Sequence, residues 1–315
     1  MIQVAAIVVT FNRKEFLIHC IEAICSQKFH PTVIYIIDNH STDGTDKFLK
    51  EKGIVTNEEM YNGISLKYIQ LPINGGGSMG FHEGLKRAYQ DGPYDYYWVM
   101  DDDGEPHPDC LKELLSHRNI GEYLSPLVID IKDHNSMAFG DGELCDIYIN
   151  KYADKNKIIP NRANPFNGIL YSKKYIEAVG YPQKEMFIWG DEINYDIRGR
   201  KKGMPPSIIC KAIHYHPRNR AQHSKSFFFG TKKVIFVNNK WKMYCRCCNA
   251  IYNYKLTGNY IQIIKEFLLY NWFFLFSPFR PDWIILFNRA FINGLKGKFG
   301  GHRKYMKKWI NIHIK

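Results

Sequence analysis

Residues 4–27, VAAIVVTFNRKEFLIHCIEAICSQ, decide the fold. An unbroken apolar, β-branched run over 4–11 is the pattern of a parallel strand buried on both faces. It passes through Phe11-Asn12-Arg13 into apolar residues at 16, 17, 20, 21 and 24, which is a helical period. The same alternation repeats downstream. Strands are expected over 32–39, 65–72 and 94–103, and helices over 41–53, 80–92 and 107–118. Ser41 or Thr42 would start the second helix and Gly53 would end it; Gly92 would end the third. This spacing implies an α/β fold, a doubly wound and mostly parallel sheet with flanking helices. From about 120 to 225 the pattern is mixed, with one helical stretch near 192–202. From 227 onward it is basic, aromatic and mostly helical. The expected organisation is an α/β domain over 1–225 and a helical C-terminal region over 226–315.

The composition narrows the classes. Hydrophobic residues make up 45% of the 315 and charged residues 23%, which excludes a disordered or collagen-like chain. The formal charge of +12 calls for an anionic partner, for which nucleotides, nucleic acid and anionic lipid qualify. Eight cysteines are too few for a disulfide scaffold, and no secretory leader pattern is visible, so reduced thiols and a cytosolic location are expected. Cys245, Cys247 and Cys248 hold one C-x2-C spacing without a second pair, which reads as thiols on a packed helix rather than a zinc site. The longest apolar stretch, 267–279, has 13 residues between Lys265 and Arg280. That is too short to span a bilayer and suits an interfacial or buried helix.

Four polar clusters fall at the carboxyl ends of the first four strands. They are Thr10 to Arg13, Asp38-Asn39, Asn74 to Gly77, and Asp101-Asp102-Asp103. Open α/β sheets bind ligands at such ends. The triple aspartate is the sharpest signal, because three adjacent carboxylates repel and a hard divalent cation, Mg²⁺ or Mn²⁺, relieves that repulsion. In an extended chain Asp101 and Asp103 share one side, where both can reach a metal, and Asp102 is left to accept a hydrogen bond from a ligand. The alternative reading is a solvated acidic turn ending in Gly104. Gly75 to Gly80 formally reads G-x-G-x-x-G, a dinucleotide fingerprint, but Pro72 to Asn74 separate it from its strand. A second acidic pair, Asp191 and Glu192, follows Trp189 and Gly190 at the start of a helix. Carboxylates there are favoured by the helix dipole, and a partly dry wall raises their basicity. His214 and His216 share one face of a strand and either can complete a metal site with the aspartates.

These pieces, in order, resemble the family 2 glycosyltransferases of the GT-A fold, a Rossmann-like architecture. The matching stretches are VAAIVVTFNR, IIDNHSTDGT, NGGGSMGFHEGL, WVMDDDGEPHPDCL, NPFNGILYSKKYIEAVG, MFIWGDEINYDIR and AIHYHP, over roughly 2 to 218. NGGGSMGF, FIWGDE and, further on, FNRAFINGLKGKFG at 287–300 look most like the galactofuranosyltransferase and rhamnosyltransferase-like branch. The resemblance implies inverting transfer of a sugar from a nucleotide diphosphate, a UDP-sugar first and a dTDP-sugar second. It implies a nucleotide-sugar site of Thr10, Phe11, Asn12, Arg13, Asp38, Asn74, Gly76, Asp102 and Trp189. It implies a Mn²⁺ or Mg²⁺ site of Asp101, Asp103 and His216, with His214 as the alternative, and Asp191 or Glu192 as general base. The acceptor would be a surface glycan or glycolipid.

The C-terminal stretch KEFLLYNWFFLFSPFRPDW, followed by Arg289, Lys296, Lys298, His302, Arg303, Lys304, Lys307 and Lys308, is amphipathic and basic. It suits an anionic membrane interface, hence a peripheral place on the inner face of the cell membrane, and the alternative is a helical lid packed on the catalytic domain or an oligomer contact. Two other functions compete with sugar transfer. One is an NAD- or FAD-dependent oxidoreductase using Gly75 to Gly80. The other is a basic nucleic-acid-binding protein, for which no recognisable module is present.

Overall fold

The computed structural model describes residues 2–139, 158–164, 166–218, 224–227, 232–276 and 280–306. Lys307 and Lys308 of the basic tail lie outside the described residues. The chain folds as two compact units. The first comprises 1–184 and 198–220; the second comprises 185–197 and 221–315.

The first unit is built on one sheet. Its strands are β1 (Val4–Thr10), β2 (Val33–Asp38), β3 (Met60–Tyr61), β4 (Ile64–Gln70), β5 (Tyr96–Asp101), β6 (Glu105–Pro106), β7 (Tyr123–Asp130), β8 (Ile158–Pro160), β9 (Asn167–Ser172) and β10 (Ser207–His216). The order across the sheet is β3-β4-β2-β1-β5-β9-β7-β10-β6, with β8 on β10. Pairs β4-β2, β2-β1, β1-β5 and β7-β10 are parallel. Strand β9 is antiparallel to both β5 and β7, so the sheet is mixed at its centre. Its helices are α1 (Lys14–Cys25), α2 (Thr45–Glu51), α3 (Gly76–Asp91), α4 (Cys110–Ser116) and α5 (Lys173–Val179).

Strand β1 is buried along its whole length, as an apolar run without alternation requires. Val4, Ala6 and Val8 pack with Leu17, Ile21 and Ile24 of α1. On the opposite face α3 lies very close. A Cβ built on Gly80 would stand 2.4 Å from Val9 Cγ1, and one on Gly84 would stand 2.6 Å from Ile7 Cγ2. These two glycines are therefore contact residues between helix and strand.

Two sequence expectations are corrected here. Helix α3 begins at Gly76, four residues before the expected start at 80, because the glycines that read as a loop form its first turn. Helix α2 begins at Thr45 rather than at Ser41 or Thr42, whose groups are engaged with Asn12 instead.

The second unit contains the start of α6 (Asp191–Lys201), the hairpin β11 (Ser224–Phe227) and β12 (Lys232–Ile235), and the helices α7 (Lys240–Thr257), α8 (Tyr260–Phe276) and α9 (Pro281–Lys296). Its core joins Met243, Tyr244, Cys247 and Cys248 of α7 to Tyr270 and Phe274 of α8 and to Trp283, Leu286 and Phe287 of α9. The thiols sit in this apolar interior, where burial pushes Cys247 and Cys248 up to about 12. Among the described residues, no helix is long and apolar enough to cross a membrane.

Candidate active site

Register brings the carboxyl ends of three neighbouring strands level: Thr10 lies opposite Asp38, and Val9 opposite Asp101. The aspartate triplet therefore sits beside the turn after β1. The strand stops at Asp101, and the following turn carries Asp102 and Asp103 onto one guanidinium. Arg13 Nη1 is 3.0 Å from Asp102 Oδ1 and 3.0 Å from Asp103 Oδ2. Thr10 Oγ1 donates to Asp102 Oδ2 at 2.7 Å. Side-to-side alternation, expected for an extended chain, thus ends at Asp101. Asp102 and Asp103 are 2% and 7% exposed, which excludes a solvated acidic turn. Burial pushes the Asp102 carboxyl up to about 6, against the pull of Arg13 and the Thr10 hydroxyl, and the Asp103 charge adds to the rise.

His216 ends β10 with Nε2 at 3.2 Å from Asp103 Oδ1. His214, two residues earlier, is fully buried. A Cβ on Gly104 would stand 2.1 Å from its Nε2, and one on Gly168 would stand 2.7 Å from its Nδ1. Neither ring nitrogen has a hydrogen-bond partner, and burial, with the His216 charge acting alike, holds the ring down to about 3. The structure thus brings His216 to the aspartates and seals His214 between two glycines.

The residues expected on the nucleotide side form a second cluster at the ends of β2 and β4. Asp38 Oδ1 accepts from the Ser41 N–H at 2.7 Å. Its Oδ2 accepts from the Tyr68 hydroxyl at 2.5 Å and from Gln70 Nε2 at 3.3 Å. Asn39 Nδ2 donates to Asn74 Oδ1 at 3.1 Å, and Asn39 Oδ1 accepts from the Gly75 N–H at 3.1 Å. Asn74 Oδ1 also accepts from the Gly76 N–H at 2.8 Å. Asn12, at φ 53°, donates its N–H to Ser41 Oγ and accepts from the Thr42 N–H. Phe11 is half-buried beside it. Tyr68 and Gln70 were not singled out by the sequence, Ser41 only as a helix start and Asn39 only as part of a strand end. The missing information was strand order: Tyr68 and Gln70 alternate onto one face of β4, opposite the end of β2.

Trp189, Asp191 and Glu192 belong to the second unit. Phe187, Trp189 and Gly190 all have positive φ, at 69°, 57° and 92°. Asp191 opens α6 and is 4% exposed. Glu192 Oε2 accepts from the Gly190 N–H at 2.8 Å.

Several features bear on a divalent cation. Asp102 and Asp103, both buried, share one arginine, and the charge of Asp101 acts on the same guanidinium, leaving excess negative charge there. Among the described residues no three Asp, Glu, His or Cys side chains converge as a complete ligand set. Asp103 and His216 do meet as an oxygen–nitrogen pair. Mg²⁺ and similar ions usually take one or two protein ligands and complete their shell with phosphate and water oxygens. The residues present fit such an ion.

Comparison with known proteins places this architecture. The fold is that of GT-A glycosyltransferases. The S. aureus protein TarS 1–349, solved with UDP-GlcNAc, matches with a TM-score of 0.55 at 12% identity, over 93% of this chain and 81% of that one. GalNAc-T7, solved with UDP, GalNAc and Mn²⁺, matches with a TM-score of 0.54 at 14% identity, over 81% of this chain and 48% of that one. The sequence profile of glycosyl transferase family 2 matches residues 5–169, more than half of the chain, and the chain belongs to that family. It is 27% identical over 284 residues to galactofuranosyltransferase GlfT1 of Mycolicibacterium smegmatis, covering 87% of this chain and 90% of that protein. The protein is a glycosyltransferase, and the oxidoreductase and nucleic-acid-binding readings fall. The formal dinucleotide fingerprint dissolves into the first turn of α3, with Gly80 engaged by Val9.

Proposed function

We propose that the enzyme transfers galactofuranose, with rhamnose as the second candidate, from a nucleotide diphosphate to a hydroxyl of a surface or lipid-linked glycan, inverting the anomeric carbon. The nucleotide is UDP first and dTDP second. The observation that carries this is the crevice in which Thr10, Arg13, Asp102, Asp103 and His216 meet at the ends of β1, β5 and β10. Likeness to a galactofuranosyltransferase along most of the chain supports the sugar.

Asp103 and His216, with Asp101 beside them, are the residues proposed to hold Mn²⁺ or Mg²⁺; one solved neighbour was crystallised with Mn²⁺. When bound, the ion neutralises charge on the departing diphosphate. Arg13 contributes positive charge to the same end. Asp38, Asn74 and Gly76, with Asn12, shape the nucleoside side. A carboxylate of the Asp191-Glu192 pair takes the proton of the acceptor hydroxyl. The hydroxyl oxygen then bonds to the anomeric carbon as the carbon–oxygen bond to the diphosphate breaks. Glu192 Oε2 accepts from the Gly190 N–H and Asp191 opens α6, so both carboxylates stand at the same turn and either serves as the base.

We also assign the exposed face of α8 to an anionic membrane surface. Tyr260, Ile261, Ile264, Leu268, Trp272 and Phe276 lie on one side of it, 48–69% exposed. Exposed basic residues occur on the same helix (Lys265), on the following one (Arg289 and Lys296) and just beyond its end (Lys298).

The testing experiment is a thermal-shift panel of UDP, dTDP, GDP and NAD, each with and without Mn²⁺. Bound ligand raises stability by mass action. A rise with UDP or dTDP that needs Mn²⁺ and is lost in H216A and D103A is expected. A metal-independent rise with NAD, or none with any diphosphate, overturns the proposal.

A further inference from the structure

The loop that leads into Asp191 has an unusual backbone, with three positive φ angles in four residues, two of them at non-glycine positions. Left-handed geometry at bulky residues persists only where surroundings over-determine it. The surroundings come from one stripe of α7. Trp241, Cys245, Asn249 and Asn253 recur every four residues, so they share a helix face. Each meets the loop. The Trp241 ring stands edge-on to Phe187 with centroids 5.6 Å apart. The Cys245 thiol lies against the Ile188 backbone. Asn249 Nδ2 lies 2.9, 3.0 and 2.8 Å from the carbonyl oxygens of Met186, Ile188 and Trp189. Asn253 Nδ2 donates to the Gly190 carbonyl at 2.8 Å, and its Oδ1 accepts from Asn194 Nδ2 at 3.1 Å. All three asparagines are buried, Asn249 at 2%, Asn253 at 4% and Asn194 at 0% exposure.

Two N–H bonds of Asn249 thus serve three carbonyls, and Asn253 takes the fourth at Gly190. Four of the five carbonyls over 186–190 accept from two side chains about sixty positions away in sequence; Met186 also accepts from the Ile188 N–H and Gly190 from the Asn194 N–H, whereas for Ile188 and Trp189 the donor is Asn249. A buried carbonyl without a donor is costly, so this pattern leaves the loop one arrangement. We infer that Asn249 and Asn253 are positioning residues for catalysis. They set the direction in which Asp191 leaves the loop, so the C-terminal helices are part of the proton-accepting apparatus. The inference rests on the reading that Asp191 or Glu192 is the base.

The experiment uses the full chain with Asn253→Ala, Asn249→Ala, Asp191→Asn, Glu192→Gln and the Asn253→Ala/Asp191→Asn double variant. Turnover is followed with UDP-galactofuranose and octyl β-D-galactofuranoside as probe acceptor. Amide hydrogen exchange is followed over 186–192 and over 96–103. A small misplacement of a catalytic group costs about 100-fold. The expected result for Asn253→Ala is a kcat fall of that order with donor KM and the UDP/Mn²⁺ thermal shift unchanged. Exchange should rise over 186–192 and stay level over 96–103. In the double variant the two losses should not multiply, because the second removes a base already misplaced. If Asn249→Ala fails to fold, Asn253→Ala carries the test. Unchanged exchange over 186–192 overturns the inference whatever the probe turnover. Unchanged kcat in Asn253→Ala, with a collapse in Asp191→Asn, overturns the positioning role and leaves the base reading intact. Wild-type kcat in both Asp191→Asn and Glu192→Gln sinks the base reading and this inference with it.

Discussion

At the residue scale, the crevice is a problem of charge. Arg13 bridges Asp102 and Asp103 through one nitrogen, and its side chain is 42% exposed. Removing it as R13A leaves two nearly buried carboxylates facing each other. The expected outcome is a lower Tm without metal and a larger Mn²⁺-dependent Tm rise than in the parent, since the ion then relieves the whole repulsion. A scan with and without MnCl₂ checks it; equal rises in both proteins would count against the crevice as the ion's place. A different residue sets an acid limit. His302 is 3% exposed against the Phe187 ring, and burial, with Arg303 acting alike, holds it down to about 4. The unfolded chain then binds the extra proton between about 6.5 and 4, so stability rises with pH across that window. Each unit of separation is worth about 1.4 kcal/mol. Urea midpoints at pH 5 and pH 7 should differ by less in H302F than in the parent. The triple aspartate was legible because adjacent carboxylates repel one another and resist dehydration, so three of them at the end of an apolar strand call for a compensating charge. The choice between His214 and His216 was not, since both share a strand face. Gly104 and Gly168 make the difference, and they are far apart in sequence.

At the element scale, α3 and β1 make a prediction with a sign. Glycine inside a helix ordinarily costs about 1 kcal/mol relative to alanine. Gly84 should reverse this, because a Cβ there would meet Ile7 Cγ2 at 2.6 Å and Ile37 Cγ1 at 3.0 Å. Overpacking of this kind costs about 1–3 kcal/mol, so G84A should lower the urea midpoint. Gly77 has nothing within 4 Å, and G77A should leave the midpoint level or raise it. Equal responses at the two positions would mean that the close approach of α3 to β1 is misread. The four longer strands and the helices up to about residue 116 were legible apart from two helix starts, because unbroken apolar runs and helical periods are local signals; the two-residue strands β3 and β6 were not. The antiparallel insertion of β9 was not: its hydrophobic residues fit either direction, and its partners lie some seventy and fifty residues upstream. The start of α3 was hidden for a related reason. Glycines favour loops in isolation, and only packing on β1 makes them favourable in a helix.

At the scale of the whole molecule, a charge of +12 and an apolar helix face act together. Vesicles of phosphatidylglycerol should co-sediment the protein at low salt and release much of it at high salt, while phosphatidylcholine vesicles should bind little. L268E should weaken binding several-fold without lowering Tm, since Leu268 is 62% exposed. Binding indifferent to lipid charge and to L268E would remove α8 from the membrane. A last consequence concerns engineering. Residues 185–197 fold with 221–315 rather than with the sequence on either side of them. A chimera that exchanges the C-terminal helices between relatives must therefore transplant two stretches, FIWGDE together with the asparagine-bearing helix. A single crossover between them would join a loop to a foreign template and yield an enzyme that still holds its donor yet turns over slowly.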